Sequence, residues 1–60
     1  MTPEVGDIWY CTYNDAYLLV MDVSNENLFF RWLDTWEDDM IHLDIFQGLR
    51  NISFDYKKVA

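Results

Sequence analysis

The densest chemistry-bearing stretch of the chain is Asp34-Thr35-Trp36-Glu37-Asp38-Asp39, in which four carboxylates surround one tryptophan. Carboxylates at this density can grip a basic protein surface and speed its approach, and their spacing can imitate phosphates along a nucleic-acid strand. An acidic hairpin tip also keeps neighbouring strands from aggregating. Hard divalent cations take carboxylate oxygens, but the run lacks the alternating Asp/Asn ligands, the glycine and the distal glutamate of an EF-hand, so no metal site is assigned to it.

Other reactive residue types are isolated. His42 is the one histidine and Cys11 the one cysteine, so neither a zinc cluster nor an intrachain disulfide can be built from them. Cys11 lies in an aromatic stretch without a basic neighbour to activate it, which favours a packed, inert thiol. Catalysis needs a nucleophile beside its base, paired acids of split pKa, or a metal or phosphate cradle. The spacing suggests none of these, so no catalytic residue and no cofactor is assigned, and the chain is expected to act without being an enzyme.

With 4 Lys+Arg against 11 Asp+Glu, the 60 residues carry a formal charge of −7. Phosphate backbones are captured by Lys and Arg, so direct binding of DNA or RNA is not expected. A basic protein surface, such as that of a nucleic-acid-binding protein, is the favoured partner. No apolar run approaches the ~20 residues of a membrane-spanning helix. Met1 to Gly6 carries no Lys or Arg ahead of its apolar stretch, and a soluble cytoplasmic protein is therefore expected.

A single domain over residues 1–60 must position these groups. Turn-type residues punctuate it at Asn14-Asp15, Ser24 to Asn27, Glu37 to Asp39 and Leu49 to Asn51. Between them lie Val5 to Tyr13, Ala16 to Val23, Leu28 to Trp36, Met40 to Phe46 and Ile52 to Val59, all rich in β-branched and aromatic residues. Short strands at this spacing predict an all-β fold, a five-stranded small antiparallel sheet or barrel.

The pairing register can be read from alternation. Closing Val23 on Leu28 through Ser24 to Asn27 puts Leu19, Met21, Val23, Leu28, Phe30 and Trp32 on one face. Leu18, Val20, Asp22, Phe29, Arg31 and Leu33 fall on the other. Pairing Thr35 with Met40 then buries Ile41, Leu43 and Ile45 and leaves His42 and Asp44 outside. In the last strand Ile52, Phe54 and Tyr56 point inward, and Ser53, Asp55 and Lys57 outward. The first strand buries Ile8 and Tyr10 and turns Trp9 and Tyr13 outward.

Val5-Gly6-Asp7-Ile8-Trp9, Phe29 to Thr35 running into the acidic turn, and Leu43-Asp44-Ile45-Phe46 before a short helical winding and a final strand resemble small SH3-like barrel proteins of tailed bacteriophages and bacteria. The resemblance implies a five-stranded SH3-like barrel and, for a phage-encoded chain, a site of action in the host cytoplasm. Two readings follow. In the first, the chain is a small acidic inhibitor or adaptor anchored by Trp36 and steered by Asp34, Glu37, Asp38 and Asp39 onto a basic host protein. In the second, it is a structural module that pairs as a homodimer through an outer patch containing Leu18, Phe29 and Leu33.

Overall fold

A computed structural model describes residues 3–47 and 56–60. Five strands form one antiparallel sheet: β1 (Ile8–Cys11), β2 (Ala16–Val23), β3 (Asn27–Trp32), β4 (Asp38–His42) and β5 (Tyr56–Lys58). One helical turn, α1 (Leu43–Phe46), follows β4. The strand order is β4-β3-β2-β1-β5, so consecutive strands are neighbours until the chain crosses over to set β5 beside β1. β4 and β5 are the edges, and among the described residues no ladder joins them into a closed barrel.

The hairpins explain the order. Ser24 and Asn27 close β2 on β3 by three bonds, the Ser24 amide (2.9 Å) and Oγ (3.2 Å) donating to the Asn27 carbonyl and the Asn27 amide to Ser24 Oγ (3.0 Å). Val23 therefore faces Leu28, as the sequence predicts. Beyond that point the ladder slips. Asp22 pairs with Phe29 but Val20 pairs with Phe30, so Met21 is skipped as a β-bulge. One inserted residue exchanges the two faces of a strand.

The expected core is corrected accordingly. Leu18 and Val20, placed outside by strict alternation, are 0% and 1% exposed, while Met21 is exposed and Leu19 half-buried. The exchange passes to β1, where Trp9 pairs with Leu18 and Cys11 with Ala16. Trp9 and Cys11 are thus buried, and Ile8 and Tyr10 take the outer face, the reverse of the expected assignment. Tyr13 is exposed, as expected.

The core is Trp9, Leu18, Val20, Leu28, Phe30 and Phe46, with Trp32, Ile41, Leu43 and Tyr56 packed around it. Phe46 meets Trp9 edge-on at 5.0 Å between ring centroids and lies 4.4 Å from Tyr56. The run Met40 to Phe46, expected to be all strand, becomes helical after His42. The Leu43 amide donates to the Glu26 carbonyl (2.8 Å) and the Gln47 amide to the Leu43 carbonyl (3.0 Å). This winding sets Leu43 and Phe46, three positions apart, on the same side of the turn. Ile52 and Phe54, expected inside the last strand, lie outside the described residues. Tyr56 packs on the core while Lys57 stays exposed, as alternation predicts.

A clasp joins the chain ends. Asp7 accepts the Glu4 amide (2.9 Å) and the Trp9 indole N–H (3.4 Å), and Lys58 Nζ lies 3.7 Å from its second oxygen. The Glu4 hydrogen bond above all, with Trp9 and Lys58, holds the Asp7 carboxyl below its usual range. The accessible surface of 4130 Å² matches the ~4,200 Å² expected of a folded monomer of this mass.

The bulge makes a direct prediction for neighbouring leucines. Leu18→Ala leaves a cavity and should cost about 3 kcal/mol in urea unfolding, whereas Leu19→Ala should cost about 1 kcal/mol. The opposite ranking would show that Met21 stays in register.

Candidate protein-binding surface

The acidic segment does not form one cluster. Two loops of the sheet end alike, with a non-glycine residue in the left-handed region: Asp15 (φ 54) before β2 and Trp36 (φ 64) before β4. Asp tolerates this backbone, and Asp15 also accepts the Tyr10 hydroxyl hydrogen bond. A tryptophan there is strained, and the hairpin holds it. The Trp36 amide donates to the Trp32 carbonyl (2.8 Å), and the Trp32 amide to the Glu37 carbonyl (2.9 Å). The turn is therefore Leu33 to Trp36, beginning four residues before the expected Glu37 to Asp39, and Asp38 and Asp39 belong to β4.

Met40 pairs with Phe29 in place of the expected Thr35, which sets Arg31 across the ladder from Asp38. The Arg31 Nε donates to Asp38 Oδ1 at 2.6 Å, and the guanidinium carbon sits 5.0 Å from the centre of the Trp36 ring. The hydrogen bond from Arg31 lowers the Asp38 pKa, and the same bond raises that of Arg31. One side chain thus neutralises a carboxylate and stacks on the exposed indole, a contact worth about 0.5–1 kcal/mol at such a site. Asp39 points the other way, toward the inner side, where its Oδ2 accepts the Trp32 indole N–H at 3.3 Å. An inward-pointing charge on an edge strand blunts that edge against further pairing.

Asp34 and Glu37 remain beside Trp36. With Asn14, Ala16, Trp32 and Thr35 they line an open cleft of about 200 Å³. Trp36 itself is 62% exposed. The fold thus keeps Trp36, Asp34 and Glu37 on one projecting loop while Asp38 is paired and Asp39 turned inward.

The predicted outer patch is revised rather than lost. Leu18 is inside and Leu33 half-buried, but Phe29 is 36% exposed and pairs with the still more open Met40. Around them lie exposed Tyr17 and Met21 and half-buried Leu19, which strict alternation placed elsewhere or left unassigned. Tyr17 stacks on Tyr10 at 5.1 Å. No family model, curated protein or solved structure matches the chain.

Burial confines Cys11, and burial first, then Cys11, pushes the Tyr56 hydroxyl well above its ordinary value. His42 lies 3.9 Å from Asp44, and its Nδ1 makes no hydrogen bond among the described residues. Among those residues, no three His, Cys, Asp or Glu side chains converge as a metal site, and no helix is long and apolar enough to cross a membrane.

Strain at Trp36 gives a testable asymmetry. Glycine adopts φ 64 freely and alanine does not. Trp36→Gly should therefore be more stable than Trp36→Ala by about 1 kcal/mol in thermal or urea unfolding. Equal stability, or the usual advantage of alanine, would contradict this backbone.

Proposed function

We propose that this protein is a non-enzymatic acidic binding module that docks its β3–β4 loop on a basic surface of a larger protein. Trp36 is the anchor, and Asp34 and Glu37 steer the approach. The observation that carries this reading is a large aromatic side chain left open to solvent yet held by a strained hairpin and by Arg31. A pre-ordered indole loses little conformational freedom on binding, and buried aromatics contribute most interface energy while rim charges mainly raise association rates. Because Asp38 is paired and Asp39 turned inward, the reading rests on an anchored ring and two flanking acids. It does not need a row of phosphate-like charges.

The strand order, with a helical turn between β4 and a last strand that returns to β1, supports the resemblance to SH3-like barrel proteins. In that reading the sheet is the wall of a small barrel, and the Trp36 loop projects from one end. A phage-encoded inhibitor or adaptor acting in a host cytoplasm is the biological setting the resemblance suggests.

The test begins with affinity capture from a lysate at low salt, followed by kinetics on the captured protein. Asp34→Lys with Glu37→Lys should slow association by about tenfold and flatten its salt dependence. Trp36→Ala should mainly speed dissociation. A partner whose binding ignores both changes would sink the proposal.

A further inference from the structure

We propose that the cleft between the β1–β2 turn and the β3–β4 loop is an arginine socket, which takes the guanidinium of one exposed arginine on the basic partner. This deepens the docking reading above and rests on it, but it uses other side chains than the Trp36 anchor. The turn supplies Asn14 and Ala16, and the end of β3 and its loop supply Trp32, Asp34, Thr35 and Glu37. At about 200 Å³ the space falls below the ~300 Å³ of pockets that hold a whole small molecule, so it suits a single side chain. Ala16 is buried and Trp32 half-buried, while Asp34 and Glu37 are exposed. The apolar lining therefore lies deepest, and the carboxylates stand at the rim.

The same loop shows what such a set of groups holds. Arg31 and Trp32 are successive residues of β3 and face opposite sides of the sheet. On the Arg31 side, a carboxylate and an indole grip one guanidinium, with Asp38 Oδ1 at 2.6 Å and the Trp36 ring centre at 5.0 Å. The cleft on the Trp32 side repeats that combination with Asp34 and Glu37, and no cationic side chain among the described residues pairs with either. Asp34 keeps one oxygen on the Thr35 amide (2.9 Å) and has the other left to accept. A guanidinium donates from a planar fork and stacks on aromatic rings, whereas an ammonium is a strongly hydrated point charge. Two carboxylates beside an indole therefore favour arginine over lysine. Both rims are held before a ligand arrives: the Leu33 amide donates to the Tyr17 carbonyl (3.0 Å), and Asp15 accepts the Tyr10 hydroxyl. Pre-ordered walls lower the conformational cost of binding.

The probe is an end-blocked glycine-arginine-glycine peptide, titrated at low salt into the isotope-labelled full chain and followed by amide nuclear magnetic resonance. Counterparts with lysine, and with citrulline as the neutral isostere of arginine, separate fork geometry from charge. The expected result is a saturable shift, at millimolar peptide, of the Asn14, Thr35 and Glu37 amides and of the Trp32 indole N–H. Lysine should bind about threefold more weakly or worse, and citrulline should leave these signals unmoved. Asp34→Asn and Glu37→Gln, both at exposed positions, should each weaken the arginine peptide by about threefold and together abolish its binding. Trp36→Ala should leave peptide binding within about twofold while speeding dissociation of the whole partner, so failure of the socket and failure of the anchor are told apart. Shifts spread evenly over the acidic surface, Asp22 and Asp44 included, would overturn the socket. An equal response to the lysine or citrulline peptide, or indifference to the double change, would do the same.

Discussion

Met21 is skipped by the β2–β3 ladder, and that one residue decides which side of the sheet is the interior. With the bulge, Leu18 and Val20 join Leu28 and Phe30, and Trp9 on β1 follows them inside. Val23 still meets Leu28, so the hairpin end and the strand body obey opposite parities. The outer side of β2 depends on this shift: Leu19 and Met21 become outer-face residues because Leu18 and Val20 are not. Tyr56 and Trp32 pack around a core that includes Phe46 of α1.

The second constraint is the economy of basic residues. Of the four in the chain, Arg31 is committed to Asp38 and Trp36, and Lys58 lies beside Asp7. Each places a cation where it orders chain as well as offsetting an acid. Arg31 fixes the loop that carries Trp36, and Lys58 joins the clasp that fastens β5 near the N-terminal turn. The excess negative charge is left on exposed groups such as Asp34 and Glu37, where it can act at a distance. On the outer sheet face Arg31 meets Asp38, while Asp22 and the Asp15 that accepts from Tyr10 stand against Lys57. One small domain therefore presents two surfaces of different chemistry, an anionic loop with an aromatic anchor and an apolar sheet.

Much of this was legible in the residue pattern, and the failures have identifiable causes. The turn at Ser24 to Asn27, the strands around it and the inward Tyr56 followed from turn chemistry and alternation. The parity of β2 did not, because Tyr17 to Met21 is an unbroken apolar run in which either set can serve as core. Asp22, Val23 and Leu28 pointed to the correct hairpin end, and extending their parity past Met21 carried the error into β1. The turn before β4 was misplaced because acidic residues were read as its tip, whereas the chain reverses at a tryptophan in a backbone region that ordinarily favours glycine. The helical turn at Leu43 to Phe46 was hidden in a short apolar run, where periodicity cannot separate strand from helix. Trp36 stands out in the sequence by its setting among acids, and the structure leaves it exposed. Leu19 and Met21 were missed as outer-face residues because their exposure depends on the bulge, and Met40 because its place beside Phe29 depends on the β3–β4 register.

The most direct measurement is the set of backbone proton contacts across β2 and β3 in a nuclear Overhauser spectrum of the labelled protein. The bulged ladder predicts contacts pairing Leu18 with Trp32 and Val20 with Phe30, with Met21 standing outside the pairing. Contacts pairing Leu19 with Trp32 and Met21 with Phe30 would contradict it, and with it the division of β2 into a core side and an outer side.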